Sequence, residues 1–151
     1  MEIEHKYLVV DESFRAQAIK VYHIEQGYLS IRPTVRVRIR DDEAFLTIKG
    51  ASDPSGLMRD EWEYEIPVVE ARELMKLCSG RTLVKDRYLV PYARHTWEVD
   101  VFLGRHEGLT LAELEVERAD EAYELPPWVG QEVTGDRRYY NATMALGKSD
   151  L

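Results

Sequence analysis

The chain has 151 residues, 44% apolar and 32% charged, with a formal net charge of −8. That length suits one domain with a real core, read here as residues 1–151. The acidic balance argues against a protein that coats DNA or RNA, but carboxylates that hold a divalent cation remain compatible with a phosphate ligand. One cysteine, Cys78, excludes an internal disulfide framework and a cysteine-rich zinc site. No apolar run approaches bilayer length, and the charged run beginning at Glu2 leaves no room for a signal peptide, so a cytoplasmic protein without a membrane or nucleic-acid partner is expected.

Residues 2–10 read as a strand. Its alternation puts Glu2, Glu4 and Lys6 on one face, about 7 Å apart, and Ile3 and His5 on the other. A short helix is predicted near Glu12–Lys20, then a brief strand at Gly27–Ile31. Thr34–Arg40 and Ala44–Lys49, joined by Asp41-Asp42, carry a hairpin signature. Gly50–Gly56 is loop-like, and Arg59–Ile66 alternates again. Pro67 suits a helix start, and Val69, Leu74, Leu77 and Cys78 form an apolar stripe that ends at Gly80. Strands are predicted at Thr82–Val90, His95–Leu103 and Leu109–Glu117, with helical or irregular chain beyond. About eight antiparallel strands with a few helices point to a mainly β fold with a closed or nearly closed sheet.

The charges in these strands are sorted by sign. Arg36, Arg38 and Arg40 share one face, as do Glu61, Glu63 and Glu65, Lys85 and Arg87, Glu98 and Asp100, and Glu113, Glu115 and Glu117. A half-buried sheet with a charged wet face would account for any one strand. For the set, sign segregation favours another arrangement, because adjacent like charges repel unless opposite charges lie across from them. A sheet closed with the charged face inward would set acidic strands against basic ones around a hydrated tunnel, with helices over the apolar outside. Such an interior suits a short polyanion and a divalent cation.

The runs Glu2-Ile3-Glu4-His5-Lys6, Val35-Arg36-Val37-Arg38, Leu46-Thr47-Ile48-Lys49, Glu61-Trp62-Glu63, Lys85-Asp86-Arg87, Trp97-Glu98-Val99-Asp100 and Glu113-Leu114-Glu115 occur in this order. With Glu132–Asn141 near the C-terminus, they make the chain resemble the CYTH superfamily of triphosphate tunnel metalloenzymes, in its short bacterial branch. His5 stands where bacterial members often carry Arg, on the face away from the charged triad. The histidines are read as structural or surface residues.

That resemblance implies a closed, eight-stranded antiparallel β-barrel tunnel with a charged interior and a few covering helices. It implies that Lys6, Arg36, Arg38, Lys49, Lys85 and Arg87 grip phosphate oxygens, Arg as a fixed fork and Lys as a point charge. Tyr28 joins this substrate-binding set. Glu2, Glu4, Glu61, Glu63, Asp100, Glu113 and Glu115 would hold Mg²⁺ or Mn²⁺ directly or through water. Among these, Glu2, Glu4, Glu113 and Glu115 are the foremost ligand candidates. Glu4, Lys6, Glu63 and Lys85 are the implied catalytic groups, with Glu4 or Glu63 able to orient water. The implied activity is metal-dependent hydrolysis of inorganic triphosphate to pyrophosphate and phosphate. Alternatives within the resemblance are thiamine- or nucleoside-triphosphate hydrolysis and adenylate cyclisation, which need a place for an organic group beside the tunnel; no segment is assigned to one, and Trp62, Tyr64 and Trp128 stay open as flanking candidates. A non-catalytic polyphosphate- or nucleotide-binding module is the alternative outside catalysis.

Overall fold

The computed structural model describes residues 1–146. Its strands are β1 (Glu2–Val9), β2 (Lys20–Ser30), β3 (Thr34–Arg40), β4 (Glu43–Lys49), β5 (Met58–Arg59), β6 (Glu61–Ile66), β7 (Thr82–Tyr92), β8 (His95–Phe102), β9 (Thr110–Glu115) and β10 (Val129–Glu132). Among the described residues three short α-helices accompany them: α1 (Phe14–Gln17), α2 (Val68–Lys76) and α3 (Asn141–Ala145). Nine strands pair in the order β10-β1-β9-β8-β7-β2-β3-β4-β6, with every pairing antiparallel, and β5 pairs with β1.

The pairing of β5 with β1 nearly closes the sheet into a barrel. Asp60 alone separates β5 from β6, so the strand that leaves β4 reaches β1 through Glu2↔Arg59 and Ile3↔Met58. The Glu4 amide extends this seam to the Leu57 carbonyl at 3.0 Å. Further along the same edge of β1, β10 takes over at Tyr7↔Glu132 and Val9↔Val129. The barrel thus has one strand beyond the eight expected, because β1 divides one edge between β5 and β10. Val129-Gly130-Gln131-Glu132 is too short to show a period in sequence. Between the two partners, Gly56 and Gly135 pack backbone to backbone. Both have positive φ, and a Cβ on Gly56 would lie 2.3 Å from the Gly135 Cα.

Alternation assigns the two faces. Outward residues of β1, β7, β8 and β9 form a core with Tyr7, Val90, Trp97, Val99, Ala112 and Leu114 buried. Phe14 of α1 and Trp128 cover it, meeting edge to face at 5.9 Å. On the opposite side, α2 sets Ala71, Leu74 and Met75 against Val37, Ile39 and Ala44. Cys78, just past α2, lies so close to β2 that a Cβ at Gly27 would meet its Cβ at 2.6 Å.

Three sequence expectations change. The helix predicted near Glu12–Lys20 shrinks to one turn, since Ala18 is extended and Lys20 already pairs with Leu89. The predicted strand Gly27–Ile31 is the end of an eleven-residue strand. The inner face of its middle carries Ile24 and Gln26, so it lacks the charge marker of its neighbours. The helices were expected on the outer face, and α3 is not there. Its Met144 and Ala145 pack against Tyr28, Leu83, Phe102 and Leu111, all inward-facing, and so fill one end of the barrel.

Candidate active site

The strand order turns the sequence pattern into two walls. Acidic β8, β9, β1 and β6 are contiguous around the barrel, and basic β7, β3 and β4 face them, with neutral β2 between β7 and β3. The cavity between the walls is about 970 Å³. Every residue assigned a site role from its place in the sequence lines it, except Asp100.

On the basic wall, Arg38 donates from Nε to Gln26 Oε1 at 3.0 Å and makes no ion pair among the described residues. Burial, reinforced by Arg36 and Arg87, pulls its guanidinium down to about 9. Arg36 donates to Thr47 Oγ1 at 3.3 Å, and its nearest carboxylate oxygen, on Glu63, is 3.8 Å away. This wall is therefore short of negative charge. Lys49 sits between Glu2 and Glu61, at 3.0 and 3.3 Å. Tyr28 is buried, and its hydroxyl accepts a hydrogen bond from Gln26 Nε2 at 2.9 Å.

Lys85 and Arg87 converge on Asp100. Arg87 donates from Nε and Nη2 at 2.7 and 2.9 Å, and Lys85 donates from Nζ at 2.7 Å. Asp100 is 1% exposed, as is Lys85. Burial works against the Asp100 charge, yet Arg87 and Lys85 hold its carboxyl below the usual range. Burial pulls the Lys85 ammonium down to about 7 against the attraction of Asp100. Asp100 was expected among the metal ligands, but its two oxygens are committed to these cations.

Beside Arg87, one oxygen from each of Glu4, Glu98 and Glu113 lies within 4.8 Å of the others, and Glu98 is 3.4 Å from Arg87 Nη1. Glu113 accepts from Arg87 Nη2 at 2.8 Å and lies 3.3 Å from Lys6 Nζ. Burial opposes its charge, but Lys6 and Arg87 hold it well below the usual carboxylate range. Glu4 makes no ion pair among the described residues, and burial followed by repulsion from Glu113 and Glu2 pushes it well above its ordinary value. A carboxylate pressed among others without a cation, in an all-oxygen donor set, fits a hard divalent ion. Glu98, which shares its face with Asp100, had no role assigned from sequence. The signal was its cross-strand neighbour, since Glu98 pairs with Glu113. Glu2 and Glu61 are turned to Lys49, and Glu115 lies exposed beside Glu4. Glu63 is also partly exposed and accepts from Thr47 Oγ1 at 3.1 Å.

The aromatic candidates for flanking an organic group, Trp62, Tyr64 and Trp128, do not line the cavity. Trp62 and Tyr64 are 50% and 55% exposed on the outer face, and Trp128 is in the outer core. His5 faces outward to Glu132 at 2.9 Å.

Comparison with known proteins agrees with this geometry. The CYTH domain model matches residues 1–140. An inorganic triphosphatase of Acetivibrio thermocellus is 42% identical over 146 residues, covering 95% of this chain and 92% of the relative. An inorganic triphosphatase of Nitrosomonas europaea is 38% identical over 153 residues, with 96% and 97% covered. A crystal structure of an inorganic triphosphatase superposes with a TM-score of 0.71 at 33% identity, covering 97% of this chain and 95% of that one. With the family model spanning nearly all of the barrel and relatives alike along almost the whole chain, this protein belongs to the CYTH domain family.

Proposed function

We propose that the chain, acting as a single domain of residues 1–151, hydrolyses inorganic triphosphate to pyrophosphate and phosphate with the help of Mg²⁺ or Mn²⁺. The observation that carries this reading is the opposition of the two walls. Arg38 has no carboxylate partner among the described residues and Arg36 has only Glu63 at 3.8 Å, while across the cavity Glu4 is crowded by Glu98 and Glu113. Each wall has a surplus that an anionic chain with its cation would neutralise. Names shared by two relatives along nearly the full length support inorganic triphosphate as the substrate. The outward placement of Trp62 and Tyr64 also favours it over thiamine or nucleoside triphosphates, whose organic group needs a flat apolar contact.

In this reading Arg36, Arg38, Lys49, Lys85, Arg87 and Lys6 bind and orient the phosphate oxygens, with Tyr28 beside them. Phosphoryl transfer depends mainly on such positioning and on charge neutralisation. Glu4, Glu98 and Glu113 would hold the cation, which when bound neutralises charge on the phosphate oxygens and on the departing pyrophosphate. Glu63, fixed by Thr47 and next to Arg36, is the carboxylate placed to orient water toward a phosphoryl group seated on Arg36. Water oxygen then bonds to the terminal phosphorus as the P–O anhydride bond breaks, pyrophosphate leaves with the bond electrons, and the water proton passes to Glu63 or to solvent. Asp100 holds Lys85 and Arg87 in place. We place the protein in the cytoplasm. Among the described residues no helix is long and apolar enough to cross a membrane.

The test is phosphate release from tripolyphosphate, pyrophosphate, ATP and thiamine triphosphate with Mg²⁺ or Mn²⁺. Tripolyphosphate should be the preferred substrate and EDTA should abolish turnover. Full activity in chelator, or preference for an organic triphosphate, would refute the proposal.

A further inference from the structure

The C-terminal run Glu132–Asn141 carries part of the family likeness, yet nothing in the chemistry above uses it. In the barrel, its last residues enter the basic wall. Asn141 Oδ1 accepts from Lys85 Nζ at 2.7 Å and from Gln26 Nε2 at 3.3 Å. Two residues earlier, the Tyr139 carbonyl accepts from Lys6 Nζ at 2.9 Å. Gln26 Oε1 in turn accepts from Arg38 Nε at 3.0 Å, so the Asn141 oxygen binds Lys85 directly and is linked to Arg38 through the Gln26 amide.

An ammonium has three donors. Lys85 spends one on Asp100 and one on Asn141, which leaves the third for the cavity that the side chain lines. The two partners differ in kind. Asp100 compensates charge and is already shared with Arg87, whereas Asn141 fixes direction without adding a negative charge. The segment that supplies it is itself held firmly. Met144 and Ala145 are buried in the barrel end, and their carbonyls accept from His106 Nε2 at 2.8 Å and Arg105 Nη2 at 3.0 Å.

We infer that Asn141 is a positioning residue of the active site, a neutral acceptor that aims the free N–H of Lys85 at substrate phosphate while leaving the wall cationic. This role presupposes the anionic substrate proposed above. An aspartate there would keep the shape and the acceptor but place a second carboxylate against Lys85. It would also sit at the start of α3, where a negative charge is favourable to a helix. Charge logic and scaffold logic therefore predict opposite orders for two variants.

The experiment compares wild type, Asn141→Asp and Asn141→Ala by thermal unfolding, by calorimetric binding of tripolyphosphate with Ca²⁺ replacing the activating ion, and by steady-state kinetics. Asn141→Asp should stay as stable as wild type yet bind tripolyphosphate about a hundredfold more weakly, since like-charge juxtaposition is costly. Asn141→Ala, which loses one hydrogen bond to a charged group, should lose about tenfold. Both losses should appear in kcat/KM. If Asn141→Asp binds like wild type and Asn141→Ala is the weaker, the residue is scaffold and the inference falls. Wild-type affinity in both variants overturns it equally. Failure of the wild-type chain to bind tripolyphosphate would instead sink the substrate reading, and this role with it.

Discussion

Replacing Asp100 by asparagine is the most informative perturbation of the basic wall. The carboxylate is 1% exposed and receives three charged hydrogen bonds, two from Arg87 and one from Lys85, at 2.7–2.9 Å. Removing one partner of such a buried arrangement typically costs about 3–5 kcal/mol, because the remaining charges stay desolvated. The two cations respond differently. Lys85, already down at about 7, can shed its proton, whereas Arg87 cannot. That relief puts the expected loss near the lower end, about 3 kcal/mol, or about 6–12 °C in Tm for a chain of this size. The assay is thermal unfolding in metal-free buffer at several pH values. Lys85 binds its proton less tightly folded than unfolded, so between about 7 and its ordinary 10.5 the unfolded state holds more protons and stability rises with pH. Removing Asp100 weakens the folded state's grip on that proton further, so the variant should be hurt more at pH 6 than at pH 8.5. Tripolyphosphate should restore more stability to it than to wild type, by supplying the missing negative charge. A Tm within about 2 °C of wild type, too small for a loss even of 1 kcal/mol, would refute Asp100 as the counter-ion of this wall.

Three further outcomes are expected. Arg38→Gln should lower kcat/KM by about two to three decades, the usual effect of losing a charged contact to the transition state, while Tm holds or rises because a half-buried cation without an ion-pair partner is removed. Kinetics and melting on the same preparation check both halves. Glu4→Gln should melt higher than wild type in EDTA, since it relieves burial and repulsion by Glu113 and Glu2, and it should lose the stabilisation that Mn²⁺ gives wild type. Gly56→Ala should lower Tm well beyond Gly80→Ala. Both positions have positive φ, but the added Cβ at Gly56 meets the Gly135 backbone at 2.3 Å whereas nothing lies within 4 Å at Gly80. Equal losses would mean that the seam between β5 and β10 does not depend on this contact.

The order of residues was enough to decide which side chains share a face. Strand alternation has a period of two, so Arg36/Arg38, Glu61/Glu63 and Glu113/Glu115 had to share faces once their strands formed. Sorting of charge by strand then implied closure, because like charges on one face need opposite charges across from them. What alternation cannot give is a neighbour's identity. Pairing order and register set Glu98 beside Glu113, turned Asp100 from a ligand candidate into an anchor for Lys85 and Arg87, and left Glu115 exposed while Glu4 was crowded. Segments without a period were equally silent: β10 is four residues long, and α3 five. Their places follow from contacts with residues more than a hundred positions away, such as Val133 to Lys6 and Asn141 to Gln26. Only the folded barrel, in which β1 has one edge to divide between two partners and one open end to fill, decides where such segments go.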